Sequence, residues 1–228
     1  MAVEHDSGVS SNERQYVIDF DSTLIAGESL DLLAEAALDG RMDAEEVLSQ
    51  LAGITASGMC GGLPFNESLQ RRMTLFEASR AHVDALATKL GTLLTPSAVE
   101  NADWFHANSH RLYVVSGGFE EYIQPTVALL GIRPNHVFAN RFIYNDAGDI
   151  IGFDADRLTS QPHGKAKQTV ALRLGGPVIA IGDGSTDLEI RDQGAADAFW
   201  AFTAHVRRPG VADQADLEFD DFVLLTAE

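Results

Sequence analysis

Lysine is scarce in this chain, confined to Lys89, Lys165 and Lys167, and all bases together number 16 against 34 acids. The formal charge of −18 argues against a nucleic-acid partner, because that affinity rests largely on neutralising phosphate. An acidic surface nearly free of lysine fits two readings: a halophile-like protein whose self-repulsion is relieved by salt, or an ordinary acidic protein from an arginine-favouring genome. Cysteine occurs once, at Cys60, which rules out an intramolecular disulfide and fits a reducing compartment. No apolar run approaches the roughly 20 residues that span a bilayer, and no basic-flanked apolar leader is present. A cytoplasmic protein without membrane contact is therefore expected. Internal repeats and low-complexity segments are absent as well.

What is present is an ordinary hydrophobic content, 45% over 228 residues, enough for one good core or a core with a smaller insertion. Residues 1–14 are polar and aperiodic and read as a flexible tail. A strand at 16–20 follows, and from Gly27 to about Leu90 the pattern is helical throughout. Leu30, Leu33, Ala34 and Ala37 repeat at helical spacing, as do Val47, Leu48 and Leu51, and Pro64 suits the start of a third helix. After Thr95-Pro96 strands at 111–115, 136–144, 178–181 and 197–202 alternate with helices at 119–130, 165–174 and 186–192. That alternation predicts a Rossmann-like α/β core, a mostly parallel sheet with helices on both faces. The core would comprise residues 15–25 and 93–228, interrupted by an all-helical cap at 26–92. Asn145-Asp146-Ala147-Gly148 reads as the turn of a small β-hairpin flap.

Four short pieces carry chemistry: Asp19-Phe20-Asp21-Ser22-Thr23, Ser116-Gly117-Gly118, Gly164-Lys165, and Gly182-Asp183-Gly184-Ser185-Thr186-Asp187. Three of them follow strands, and open α/β sheets bind ligands at the carboxyl ends of their strands. Period-two spacing puts Asp19 and Asp21 on one side, where one carboxylate could attack phosphorus and the other serve as acid and base. The same pair could equally bind metal or cap a turn. Asp183 and Asp187 read as metal ligands or as a turn with a helix cap. Ser116-Gly117-Gly118 should end a strand and open a helix, offering N–H groups to a phosphate, or form only a tight turn. Lys165 is a phosphate contact or a solvated cation. Phe65, Leu69, Arg72 and Phe76 share a helical face, and an arginine in an apolar stripe needs a carboxylate or a ligand.

Together, in this order, the pieces resemble the four motifs of the haloacid-dehalogenase-like phosphatases, from about Tyr16 to the C-terminus. The resemblance implies that Asp19 is the nucleophile, Asp21 the acid–base and Lys165 the phosphate-side cation. It implies Mg²⁺ held by Asp19, Asp183 and the backbone carbonyl of Asp21, with Asp187 in support. Ser116, Gly117, Gly118 and Thr186 would hold the phosphate. In the insertion, Met59-Cys60-Gly61-Gly62-Leu63-Pro64-Phe65, Arg72 and Glu28 resemble a cap that reads a small phospho-amino acid. Arg72 would take its carboxylate, Glu28 its ammonium, and Met59 and Phe65 would close the apolar wall. The implied reaction is hydrolysis of O-phospho-L-serine, the last step of serine biosynthesis. Another small phosphomonoester such as phosphohomoserine or phosphoethanolamine, and a non-catalytic phospho-ligand binder, are the alternatives. The oligomeric state is left open, a homodimer included.

Overall fold

The computed structural model describes residues 13–59 and 62–227. Strand β1 (Gln15–Ile18) enters the centre of the molecule and is followed by helices α1 (Ser29–Ala37), α2 (Ala44–Met59), α3 (Phe65–Met73) and α4 (Arg80–Leu90). Helices α5 (Pro96–Glu100) and α6 (Ala102–Ala107) lead to β2 (Leu112–Phe119), α7 (Glu120–Val127) and β3 (Val137–Asn140). A hairpin of β4 (Phe142–Tyr144) and β5 (Ile150–Phe153) precedes α8 (Gly164–Leu172), β6 (Val178–Gly182), α9 (Ser185–Asp192), β7 (Ala198–Phe202), α10 (Pro209–Ala212) and β8 (Leu217–Phe219). The six-stranded sheet has the order β3-β2-β1-β6-β7-β8 and all its pairings are parallel. The central strands are buried on both faces and read as continuous apolar runs for that reason. The fold is thus the Rossmann-like α/β sheet with a helical insertion after its first strand and a small antiparallel hairpin.

The two stretches joining the insertion to the sheet pair with each other. Ala26 donates its N–H to the Leu93 carbonyl, Thr95 N–H to the Leu24 carbonyl, and Ile25 bridges Leu94. Leu30, Leu33, Leu51, Leu69, Val83 and Leu86 from the insertion belong to the same apolar cluster as Tyr16 and Ile18 of β1. The helical periodicity read from the sequence is therefore spent on burying one stripe of each helix against a shared core. The hairpin turns at Asn145–Gly148, where Gly148 takes a left-handed φ of 88°.

Several boundaries differ from the sequence reading. The first strand ends at Ile18, and the chain turns at once: Leu24 and Ile25 both donate backbone N–H groups to the Phe20 carbonyl. Strand β2 runs through Ser116-Gly117-Gly118 to Phe119, and its helix opens only at Glu120, so the triplet lies inside an irregular strand end and not at a helix N-terminus. Helix α3 ends at Met73, which leaves Phe76 beyond it, still buried. Strand β8 has no counterpart in the sequence reading; three residues with a central acid give too little pattern. Of the polar tail at 1–14, residues 1–12 lie outside the described residues, as do Cys60 and Gly61. Glu13 and Arg14 are fixed: Glu13 pairs with His110 and Arg111, and Arg111 donates to the Arg14 carbonyl. Among the described residues no helix is long and apolar enough to cross a membrane.

Candidate active site

The carboxyl ends of β1, β2 and β6 converge beneath helices α1, α2 and α3. Between them lies a small cavity of about 20 Å³ lined by Asp19, Asp21, Glu28, Leu30, Met59, Phe65, Arg72, Gly117, Gly118, Lys165 and Thr186. Ser116, Asp183 and Asp187 stand behind this lining, all buried. A larger recess of about 520 Å³ meets it at Phe65, Gly117, Lys165 and Thr186 and opens to the outside past His163 and Glu189.

Asp19 leaves β1 with its backbone N–H on the Ile181 carbonyl, which locks it to β6. Its Oδ1 accepts from Phe20 N at 2.7 Å and lies 2.7 Å from Lys165 Nζ. Lys165 in turn donates to Asp187 Oδ1 at 2.8 Å. The lysine sits at the start of α8, where Gly164 lets the backbone approach; a Cβ there would lie 2.4 Å from the Leu158 carbonyl oxygen. Asp187, in the first turn of α9, also accepts the Gly184 N–H at 3.1 Å and so fixes its own turn. Asp19, Asp183 and Asp187 each present a ligand atom within 4.8 Å of the others. Asp187 is the least available of the three, since both its oxygens are already engaged.

Asp21 lines the same cavity but is anchored elsewhere. Its Oδ1 accepts from Ser29 N at 2.7 Å, at the N-terminus of α1, and Ser29 Oγ donates to Tyr122. Glu28, just before that helix, accepts from Ser22 Oγ at 2.9 Å; Ser22 holds a left-handed φ of 51° to make the turn. Arg72 is almost wholly buried, with Nη1 at 3.4 Å from Thr55 Oγ1 and 3.9 Å from Asp31 Oδ1. Its Nε has no hydrogen-bond partner, and neither has Asp183 Oδ1. The expected N–H groups of the glycine triplet are partly committed, since Gly118 donates to Ser116 Oγ at 3.0 Å. Gly117 is required by its neighbour: a Cβ on it would lie 2.4 Å from the Phe65 ring.

Two residues joined to this constellation were missed by the sequence reading. Arg208, in the loop after β7, places Nε and Nη2 each 2.9 Å from Asp183 Oδ2, with Nη2 3.6 Å from Glu28 Oε1. Asp31, one helical turn after Glu28, faces Arg72 with Thr55 donating to it at 3.0 Å. Asp31 sits three residues after Glu28 on α1, a spacing that could have shown it; Arg208 has no motif around it.

The electrostatics follow from burial. Asp19, Asp21, Glu28, Asp183 and Asp187 crowd together against Lys165 and Arg208, while Arg72 is matched by Asp31. Burial, then the charges of Glu28 and Asp19, raise the Asp21 carboxyl well above the usual carboxylate range. Burial likewise raises Glu28 and, despite Arg208, lifts Asp183 well above its ordinary value. Asp187 is pushed up to about 7 by burial and the Asp19 charge, against the pull of Lys165. Burial opposes the charge on Lys165, but Asp187 and Asp19 outweigh it and hold the ammonium above its usual range. Such an excess of buried acid, with an unpaired carboxylate oxygen in it, suits a bound metal cation.

A parallel sheet whose strand ends gather carboxylates and one lysine beneath a helical insertion fits a hydrolase with an α/β core. The chain matches the haloacid dehalogenase-like hydrolase family over residues 16–192 and belongs to it. It is 37% identical over 201 residues to the chloroplastic phosphoserine phosphatase of Arabidopsis thaliana, covering 87% of this chain and 65% of that protein. It is 34% identical over 213 residues to the phosphoserine phosphatase of Rattus norvegicus, covering 92% of this chain and 90% of that one. The crystal structure of a phosphoserine phosphohydrolase-like protein from Francisella tularensis matches with a TM-score of 0.82 at 30% identity, over 94% of this chain and 99% of that one.

Proposed function

We propose that this protein hydrolyses O-phospho-L-serine to L-serine and phosphate through an aspartyl-phosphate at Asp19, with Mg²⁺ as cofactor, in the cytoplasm and as the last step of serine biosynthesis. The observation that carries the reading is the sharing of one cavity by Asp19, Asp21, Lys165, Glu28 and Arg72. Only a substrate with a phosphate at one end and an amino-acid head at the other would use all five.

Lys165 and the Phe20 N–H hold Asp19 Oδ1, which leaves Oδ2 to attack phosphorus as the bond to the serine oxygen breaks. Burial and nearby acids raise the Asp21 pKa, which suits it to give a proton to the departing serine oxygen. As a carboxylate it then takes a proton from the water that releases phosphate from Asp19. Ser116, the Gly117 N–H and Thr186 hold the phosphate oxygens, the Gly118 N–H joining them on leaving Ser116 Oγ, and Lys165 offsets their charge. Glu28 binds the ammonium. Arg72, held by Asp31 and Thr55, offers its unpartnered Nε and its fork to the carboxylate. Met59 and Phe65 form the apolar wall. Asp19, Asp183 and the Asp21 carbonyl would hold the ion, and the buried, unpartnered Asp183 Oδ1 fits that assignment. When bound, Mg²⁺ supplies Lewis-acid neutralisation of phosphate charge in a set of hard oxygen donors. Residues 26–92 act as a cap over a core of 15–25 and 93–228, with the paired connectors at Leu24–Ala26 and Leu93–Thr95 as the hinge.

Phosphate release from a panel of small phosphomonoesters with Mg²⁺ tests this. O-phospho-L-serine should exceed phosphoethanolamine, which lacks the carboxylate, by well over tenfold in kcat/KM. Equal rates across the panel reduce the reading to a general phosphatase, and no release from any member leaves a phospho-ligand binder.

A further inference from the structure

Asp183 is a buried carboxylate with very unequal oxygens. Oδ2 receives both Nε and Nη2 of Arg208 at 2.9 Å, whereas Oδ1 is buried and has no hydrogen-bond partner. Nothing in the chemistry above uses Arg208, yet its side chain is only 15% exposed, reaches the site from the loop between β7 and α10, and is held by its contacts with Asp183 and, more loosely, Glu28. A carboxylate on a short side chain can rotate about its last bond. Two donors on one oxygen stop that rotation and leave the other oxygen buried and uncommitted, on a carboxylate that clusters with Asp19 and Asp187.

We infer that Arg208 is a positioning residue for the metal: by holding Asp183 Oδ2 it reserves Oδ1 for the ion. Outer partners that orient a ligating carboxylate commonly change metal affinity by about 10–100-fold when removed. A second consequence is electrostatic. Arg208 adds positive charge beside the ion, and on Coulomb grounds alone its removal would tighten metal binding. The sign of the change therefore separates orientation from simple charge balance. Lysine can supply the charge but only a point donor, without the fork that fixes the carboxylate plane. The inference rests on the metal reading proposed above.

The experiment is titration of the full chain with Mn²⁺ alone, in the absence of substrate, following free Mn²⁺ by electron paramagnetic resonance. Wild type is compared with Arg208→Gln and Arg208→Lys, and each variant's folding is checked by circular dichroism and melting. Arg208→Gln should raise the Kd for Mn²⁺ by about 10–100-fold and Arg208→Lys by less. An unchanged or tighter Kd in Arg208→Gln overturns the inference. If Arg208→Gln does not fold, Arg208→Lys decides: a Kd equal to wild type overturns the inference, and a weaker one supports it. Failure of the wild type itself to bind Mn²⁺ is a different result; it removes the metal reading and this inference with it.

Discussion

Single residues carry the sharpest tests. Asp19→Asn is nearly isosteric, and Lys165 keeps Asp187 as a partner, so the fold should survive while turnover falls by roughly 10⁴-fold or more, as expected when a nucleophile is removed. Substantial phosphate release from the folded variant would exclude the covalent route. Arg72→Ala should weaken kcat/KM for O-phospho-L-serine by about 2–3 kcal/mol, roughly 30- to 150-fold, through loss of a charge-assisted contact. The same variant should lose little on a phosphomonoester without a carboxylate. Glu28→Gln should discriminate likewise against substrates lacking an amine. Equal losses on all substrates would assign both residues to packing. Away from the site, His136 is buried, donates from Nδ1 to the Leu112 carbonyl at 3.0 Å and stacks on Tyr113 at 4.6 Å. Burial lowers its pKa, so folding favours the neutral ring. An unfolded histidine titrates near ~6.5. The contribution is therefore complete above that pH and is lost as pH falls from there through the lower pKa of the folded ring. Urea melts at pH 7.5 and 5.5 should show a smaller acid loss of stability in His136→Gln than in wild type; equal losses would remove His136 from the account.

At the scale of elements, the meeting of α3 with the end of β2 is the tightest contact over the site. The Phe65 ring lies where a Gly117 side chain would be, with a prospective Cβ at 2.4 Å. Met59, the last residue of α2, lies as close as 3.3 Å to a prospective Cβ on Gly184. Gly117→Ala should therefore push Phe65 aside, raise KM for O-phospho-L-serine several-fold and move the melting temperature little. Adding Phe65→Ala should relieve the clash, so that the double variant is no worse than Phe65→Ala alone. Strict additivity of the two effects would show that the residues do not collide. The elements themselves were legible wherever the pattern was strong: Val178–Gly182 and Ala198–Phe202 are long apolar runs, and α1 to α4 carry clear helical stripes. The end of β2 was not, because glycines give no periodicity and a strand can continue through them irregularly.

For the whole molecule, charge is the open variable. With a net −18 and few lysines, self-repulsion opposes the compact state. If the acidic composition is an adaptation to salt, the melting temperature should rise by several degrees between low and molar KCl, more than screening of isolated pairs supplies. A flat or falling curve would leave an ordinary acidic protein and would not touch the site. The site's own acids behave differently. They are buried, so bulk salt screens them poorly, and their repulsion is answered by Lys165 and Arg208 and would be answered further by a cation held among Asp19, Asp183 and Asp187.

The sequence by itself determined the alternation of strands and helices, the helical insertion after the first strand, and the four pieces that meet at the strand ends. Local pattern suffices for these, since backbone hydrogen bonding and apolar periodicity act over a few residues. It also placed Arg72 in an apolar stripe, where a buried cation has to find an anion. Only the tertiary structure decided who the partners are. Arg72 lies against Asp31 and Thr55, Lys165 bridges Asp19 and Asp187, Asp21 turns to the start of α1, and Arg208 reaches Asp183 from 25 residues away in sequence. Those pairings arise from chain segments brought together by packing, and no spacing along the chain encodes the distance between them.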